Sequence, residues 1–485
     1  MKSLKALTLG LLAAGGMATT ASAIPVLHVV GSTAFRSPDT AAMIDYLSAG
    51  GTKTVYAVYD GTTGAVNAHT ILGANAALLA NGTIGGATPT ATIIISTYWT
   101  GSLAGVVDLA AANTTGAYIN ETDPAVIATF DSTTTPPIVS TSYDGGVGLG
   151  TAGSGYVTAT AAPDLAFSDS YKGTIAKETA TASFNTQGIT TSGGAGGTKY
   201  TSIGSYTSVT ALATAIAGST VVDSGTAGNA FTAGHIGVVP FEWVAGNVSD
   251  DATDRAKLLN ISQQTADSLI TAGFIAQSQL TGTNGTTDQN NFFSLIGRNE
   301  DSGTRIGALS ESQFGVTGSP QQSFFDGTNS GLYPVEPLNT EPALIWNTQG
   351  HSGYATGGNV GTALNLAETG GNYFIGYLGV TDALSKAANG VPLNYGGVPF
   401  TVANIENGSY TFWTYEHAYH LSTLANPQLA AANAIADGVY NTDADITSSG
   451  GHGAATNPAT VTAGILIKNM NVSRATTEGG PIGHL

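Results

Sequence analysis

Short β-branched runs alternate with Ala- and Leu-rich stretches along this chain, a pattern that predicts strands followed by helices. Val26 to Val30 reads as a buried strand, with Gly31-Ser32-Thr33 behind it and a helix around Ala41 to Leu47. Ile93 to Ser96 is a second strand. It runs through Thr97-Tyr98-Trp99-Thr100 into Gly101-Ser102, then into a helix from Leu103 to Ala111. Leu165 to Phe167 is a third strand, ending in Ser168-Asp169-Ser170. Ile236 to Val239 is a fourth, followed by Pro240 and an aromatic pair, Phe241 and Trp243. Ile261 to Ala272 reads as helix and Phe292 to Ile296 as strand. Phe374 to Tyr377 is another strand, with a helix around Asp382 to Ala388. Tyr410 to Leu421 is rich in aromatics, and Pro427 to Ala436 is a helix. Such alternation indicates an α/β architecture, which binds ligands at the carboxyl ends of strands beside helix N-termini. The turns at Gly31, Gly101, Ser168 and Arg298 have that layout.

Between these elements lie long stretches of Gly, Thr, Ser and Ala, chiefly residues 50–90, 112–160 and 180–232. Asp60-Gly61, Asn81-Gly82 and Asp144-Gly145-Gly146 are turn signals beside short β-branched runs. These stretches read as β-hairpin insertions or long loops. No fixed-period repeat accompanies them.

Composition narrows the class. Only 9% of the 485 residues are charged, against roughly 25% in typical domains. The 65 glycines are about twice the usual share, yet hydrophobic residues make up 42%, so the chain is not composed for disorder. The N-terminus reads as a secretory signal: Lys2 and Lys5 lead an apolar stretch from Leu7 to Met17, and Ala21-Ser22-Ala23 fits a cleavage site. The mature chain is then expected to begin near Ile24, without a transmembrane segment, in the periplasm or outside the cell. No cysteine occurs, which excludes disulfides and thiolate metal sites. The net charge of −18 argues against nucleic acid as partner. It also means that a small anion must be caught by local donors against the overall field. The five arginines, Arg36, Arg255, Arg298, Arg305 and Arg474, therefore matter, although Arg36 and Arg305 are expected to pair with surface carboxylates.

The densest candidate chemistry is Arg298-Asn299-Glu300-Asp301-Ser302-Gly303-Thr304, leading into a helix through Arg305 and Ser310. A helix start offers unpaired N–H groups and partial positive charge to an oxyanion. Ser302 and Thr304 add hydroxyl donors, Gly303 admits a ligand close to the backbone, and Arg298 can supply a cationic fork.

Taken in order, Gly31-Ser32-Thr33, Thr100-Gly101-Ser102, Ser168-Asp169 and Arg298 through Thr304 resemble the motifs of the periplasmic phosphate-binding proteins of ABC transporters. That resemblance implies a two-domain type II solute-binding (Venus-flytrap) α/β fold with β-rich insertions. A signal peptide would occupy 1–23. Domain 1 would comprise 24–238 and 380–485, with the insertions at about 50–90, 112–160 and 180–232, and domain 2 would comprise 239–379. Gly237-Val238-Val239-Pro240 would lie near the first crossover, and Gly357-Gly358-Asn359-Val360-Gly361 with Ile375-Gly376-Tyr377 near the return. The resemblance further implies phosphate binding by Thr33, Ala34, Ser102, Asp169, Arg298, Ser302, Gly303 and Thr304. Ser32, Gly101 and Glu300 would support them, with Glu300 where the family has the Asp that orients its Arg. Asp169 would accept a hydrogen bond from the proton phosphate still carries, and would repel fully ionised sulfate. The chain departs from the family at Ala34, where an aromatic is usual, at Ser102-Leu103-Ala104, which lacks a Ser and a Gly, and in the long spacings between motifs.

The function so implied is a secreted, non-enzymatic solute-binding protein that captures inorganic phosphate or a similar oxyanion for an ABC permease. No cofactor or metal is expected. A second reading is an extracellular structural protein built on the same fold, whose low charge and β-like insertions suit self-assembly. A third, an exported phosphatase, lacks a metal cluster or an activated nucleophile. His417 and His420 have the i,i+3 spacing of one helix face with Glu416 beside them, but a metal needs a further ligand, and packed or capping histidines are commoner. Asn260-Ile261-Ser262 is an acceptor triplet that matters only in a glycosylating host.

Overall fold

Three parallel strands form the middle of the main sheet. Val26–Gly31 lies between Ile94–Tyr98 and Leu165–Ser168, with Leu27 opposite Ile95 and Val30 opposite Ala166. Their residues are mostly buried on both faces, as the near-continuous β-branched sequence requires. Because the strands run the same way, the turns at Gly31, Trp99 and Asp169 leave from one edge of the sheet. This computed structural model describes residues 24–65, 70–85, 91–114, 116–132, 135–138, 143, 145–153, 156–180, 187–189, 195–198, 203–225, 234–248, 252–318, 320–325, 332–334, 353–368, 372–387, 389–441, 464–474 and 478–485. The expected signal segment, 1–23, lies outside them.

On one side the sheet continues through Ala76–Ala80, Val55–Tyr59, Val147–Gly150 and Gly61–Ala65. Ala76–Ala80 runs antiparallel to both Ile94–Tyr98 and Val55–Tyr59, and Val147–Gly150 runs parallel to Val55–Tyr59. Stretch 50–90 and, through Val147–Gly150, part of 112–160, expected as hairpin insertions or loops, thus lengthen the main sheet, while Gly116–Ile119 and Thr158–Ala161 pair antiparallel in a separate two-stranded sheet. Their alanines and valines are buried in it, as at Ala57, Val58, Ala76 and Ala77. Within 180–232, helix Val209–Ala217 buries Leu212, Ala213 and Ile216 on one face. Ser208 caps it by accepting from the Ala211 N–H.

On the other side the order is Leu165–Ser168, Trp413–Leu421, His235–Ala245, Asn372–Gly379, Phe292–Ile296 and Phe274–Ala276. The 11-residue strand His235–Ala245 changes partners midway. Up to Pro240 it pairs with Trp413–His417, and from Phe241 with Ile375–Gly379. The strand read as Ile236 to Val239, followed by Pro240, runs on through the proline, which has no N–H to give. The proline sits where one ladder gives way to the next. The expected domain boundaries, 238/239 and 379/380, fall in this strand and at the end of Asn372–Gly379. An aromatic cluster fills the junction: Trp243 meets Tyr377 edge-on at 5.4 Å and stacks on Phe412 at 6.1 Å. The Tyr410 hydroxyl donates to the Phe241 carbonyl at 2.6 Å.

Tyr410 to Leu421 corrects the helical spacing of its histidines and bears out the reading of them as packed side chains. Trp413–Leu421 is a strand, so His417 and His420 point to opposite faces and cannot share a metal. His417 stacks on Tyr419 and meets His235 edge-on, while His420 Nδ1 lies 2.8 Å from the Ser224 hydroxyl. Among the described residues no group of His, Cys, Asp or Glu could hold a metal, and no helix is long and apolar enough to cross a membrane.

The C-terminal segment ties both sides of the sheet together. Arg474 pairs with Glu311 at 2.9 Å and covers the Trp413 ring at 4.5 Å. Glu478 caps helix Lys172–Thr179, accepting from the Tyr171 N–H and, at 2.7 Å, from the Thr174 hydroxyl. Replacing Glu478 by Ala is expected to destabilise the fold by about 1–3 kcal/mol, the cost of stranding the buried Thr174 hydroxyl and the partly buried Tyr171 N–H. Glu478→Gln is expected to cost less. Urea unfolding at pH 7 measures both.

Candidate functional site

The site grows from the carboxyl edge of the three parallel strands. The Ser32 N–H donates to the Phe167 carbonyl at 2.9 Å, and the Ser32 hydroxyl accepts from the Phe35 N–H, fixing the turn into helix Arg36–Ser48. Thr33 and Ala34 are half-buried beyond it, and their amides make no hydrogen bond among the described residues. The Gly101 N–H donates to the Gly31 carbonyl at 2.8 Å, which locks the second turn to the first. Ser102 opens helix Ser102–Ala111. Its hydroxyl donates to Asp169 Oδ1 in a short hydrogen bond and accepts from the Asp169 N–H at 3.3 Å. The first three motifs are therefore joined by hydrogen bonds.

The fourth motif forms the facing wall. Strand Phe292–Ile296 leads through Arg298 to helix Gly303–Glu311, capped by the Ser302 hydroxyl, which accepts from the Arg305 N–H. Gly303 lies directly against the first wall. A Cβ there would stand 1.5 Å from Asp169 Oδ1 and 2.7 Å from the Ser102 hydroxyl, so nothing larger than hydrogen fits. Gly101 is constrained in the same way, with φ at +105° and the Asp301 carbonyl 2.7 Å from where its Cβ would be. That carbonyl accepts from the Leu103 N–H at 3.1 Å, bonding wall to wall. Ser302 and Thr304 are buried, and the first-turn amides of Gly303 and Thr304 have no partner within their helix.

Arg298 is buried and differently held from the sequence expectation. Its Nε donates to the Tyr354 carbonyl at 3.2 Å and its Nη2 to the Ala355 carbonyl at 3.3 Å. The carboxylates facing it are Asp382, Asp169 and Asp301, not Glu300. Glu300 is buried nearby and acts on Glu178 instead. Arg305, expected at the surface, is buried; its Nη1 donates to the Arg298 carbonyl and its charge faces Glu178. Arg36 is half-buried at a cleft beside Thr33.

Two carboxylates stand behind the first wall that sequence reasoning did not assign to the site, Glu416 having been read only as a neighbour of His417. Asp39, on helix Arg36–Ser48, and Glu416, on strand Trp413–Leu421, are both fully buried. None of their four carboxylate oxygens has a hydrogen-bond partner among the described residues. Burial, then Asp169, raises Asp39 well above the usual carboxylate range. Burial, then Asp39 and Asp169, does the same to Glu416, and the Ser168 amide, which favours its charged form, stands outside hydrogen-bond geometry. Asp169 is pushed up to about 6 by burial, against the Ser102 hydroxyl and the Arg298 charge, which favour ionisation. Glu178, also buried, rises to about 8. The signal in the sequence was an acid inside an otherwise buried run, as in Trp413-Thr414-Tyr415-Glu416.

No protein-family model matches the chain, and no curated protein matches it by sequence. Solved structures that resemble it in part include one assigned as a candidate phosphate ABC transporter substrate-binding protein with bound phosphate, from Clostridium perfringens. It is 11% identical, with a TM-score of 0.36, over 84% of this chain and 92% of that one. An ABC-type phosphate transport receptor from Vibrio cholerae is 10% identical, with a TM-score of 0.36, over 85% and 93%. A possible phosphate binding protein from Planctomyces limnophilus is 11% identical, with a TM-score of 0.32, over 85% and 87%. Likeness of this degree does not identify a ligand.

The raised carboxyls give a pH dependence with a definite sign. Each holds its proton in the folded chain at pH values where the unfolded chain has lost it, so stability falls as pH rises toward the folded values. Acidification from pH 8 to 6.5 is therefore expected to raise the urea midpoint. Below 6.5 the depressed His235 and His417, buried as neutral rings, work the other way. Asp39→Asn with Glu416→Gln is expected to raise stability at pH 8 by about 1 kcal/mol or more and to flatten the slope. Urea titrations at four pH values between 8 and 6.5 check it.

Proposed function

We propose that this chain is a solute-binding protein for inorganic phosphate or a similar tetrahedral oxyanion, captured between its two walls and passed to an ABC-type permease after export. The observation that carries the reading is the contact of the Gly303 helix start with the Ser102 and Asp169 turns, beside buried Arg298. The Gly303 and Thr304 amides have no partner in their helix, and those of Thr33 and Ala34 make no hydrogen bond among the described residues, so each wall has donors to offer. An anion entering there would break the Leu103–Asp301 bond, part Gly303 from Asp169, and accept hydrogen bonds from both helix starts. Hydroxyls of Thr33, Ser102, Ser302 and Thr304 would add donors, and Arg298 the charge.

Asp169 gives this seat its selectivity. With a pKa of about 6 it is mostly ionised at pH 7.5 and accepts the hydrogen bond that a protonated oxyanion can donate. Sulfate carries no such proton and would face the carboxylate unpaired. The seat binds and releases; no step in this reading breaks a covalent bond. Its residues would come from two domains, 24–238 with 380–485 and 239–379, which open and close about strand His235–Ala245.

Titration calorimetry at pH 7.5 is expected to show 1:1 phosphate binding and little sulfate binding. Arg298→Ala is expected to weaken phosphate by roughly a hundredfold, about 3 kcal/mol. Asp169→Asn is expected to narrow the preference for phosphate over sulfate. A wild-type chain that binds no oxyanion refutes the reading, and a chain that turns over p-nitrophenyl phosphate with these residues intact refutes its non-enzymatic form.

A further inference from the structure

The inner seat is too tight to be the whole site. Beside it a cleft of about 310 Å³ opens between the two walls, lined by Thr33 and Arg36 on one side and by Gly357, Gly358, Asn359 and Asp382 on the other. A single water takes up about 30 Å³, and sites for multi-atom ligands begin near 300 Å³, so one tetrahedral anion leaves most of this space unfilled.

The chemistry of the lining is dominated by donors. Thr356 caps helix Gly357–Leu364 through its hydroxyl, which accepts from the Asn359 N–H at 3.0 Å. That leaves the first-turn amides of Gly357 and Gly358 without a partner in the helix, at its positive end. Arg36 faces them across the cleft. Arg298, only 3% exposed, uses Nε and Nη2 on backbone carbonyls. Its Nη1 lies 3.6 Å from where a Gly357 Cβ would stand, with Asp382 Oδ2 2.2 Å from the same point. One of the chain's five arginines, Arg36, thus lines the cleft and a second, Arg298, lies beside Gly357, in a chain of net charge −18. Against these donors the lining sets one carboxylate, Asp382, which faces Arg298.

We propose that this cleft is a second oxyanion seat adjoining the first, and that the ligand class is a condensed phosphate, a diphosphate unit spanning both. Arg298 is the shared group: its charge faces Asp169 at the inner seat, and its Nη1 lies beside Gly357 and Asp382 at the outer one. One phosphoryl group sits among Thr33, Ser102 and Gly303. The other meets Arg36 and the Gly357 and Gly358 amides. This rests on the oxyanion reading of the inner seat and adds the class of molecule that fills it.

The test is calorimetry on the full mature chain at pH 7.5 with orthophosphate and inorganic diphosphate, metal-free and at matched ionic strength. Diphosphate is expected to bind 1:1 and at least tenfold more tightly. Arg36→Ala is expected to reduce diphosphate affinity at least tenfold more than orthophosphate affinity, and Arg36→Lys to restore part of the difference, with both melting points near wild type. Orthophosphate binding without a diphosphate advantage overturns the outer seat and leaves the inner one standing. Two orthophosphates binding independently overturn the spanning ligand. Binding of neither anion overturns both readings together.

Discussion

The approach of the Gly303 α-carbon to the Asp169 carboxylate is the constraint from which the rest of the site follows. It can be made only by glycine, and only if two helices present their starts to each other. One helix starts at Ser102, after a parallel strand in the middle of the sheet; the other starts at Gly303, after Phe292–Ile296 far along it. Strand His235–Ala245 makes that meeting possible by pairing with both parts in turn. The Asp301 carbonyl then takes the Leu103 N–H, a bond an incoming anion would have to replace.

Charge in this chain is scarce and much of it is buried, and that sets the character of the site. Asp39, Asp169, Glu178, Glu300, Asp301 and Glu416 all lie inside, with Arg298 and Arg305 among them. Two guanidinium groups cannot neutralise six carboxyls, so burial resolves the excess by keeping protons on several of the acids. The interior of the wall is thus less negative than its composition suggests. A seat for an anion can exist in a chain of net charge −18 because burial holds Asp39 and Glu416, behind the wall, toward their neutral forms, and because the nearest cation is held rigidly by backbone carbonyls.

The strands and helices at the site were legible because each is a short run with one period and a clear stop. Phe292–Ile296 agrees with the structure residue for residue, and the Ser102 helix to within one residue. His235–Ala245 was read only as Ile236 to Val239 because a change of partner along one strand leaves no mark in the sequence. The Trp413 strand hid behind an i,i+3 histidine pair, although its alternating aromatics carried the period-2 signal. Ser102, Asp169 and Gly303 are brought together as their motifs suggested, but the holders of Arg298 were not legible. They are carbonyls of Tyr354 and Ala355, and a backbone acceptor leaves no mark in the side-chain sequence. Asp39 was missed, and Glu416 was read only as a neighbour of His417, because acids in such mixed runs as Arg36-Ser37-Pro38-Asp39-Thr40 resemble ordinary surface positions until the fold closes around them.

The central claim is that the Ser102 and Gly303 helix starts form the two halves of one anion seat. A crystal structure of the chain grown with inorganic phosphate tests it most directly. The account predicts phosphate between the walls, within hydrogen-bond distance of the Thr33 and Ala34 amides on one side and the Gly303 and Thr304 amides on the other, with an Asp169 oxygen facing a phosphate oxygen. Gly303 still seated against Asp169, with phosphate absent or bound elsewhere, would contradict it.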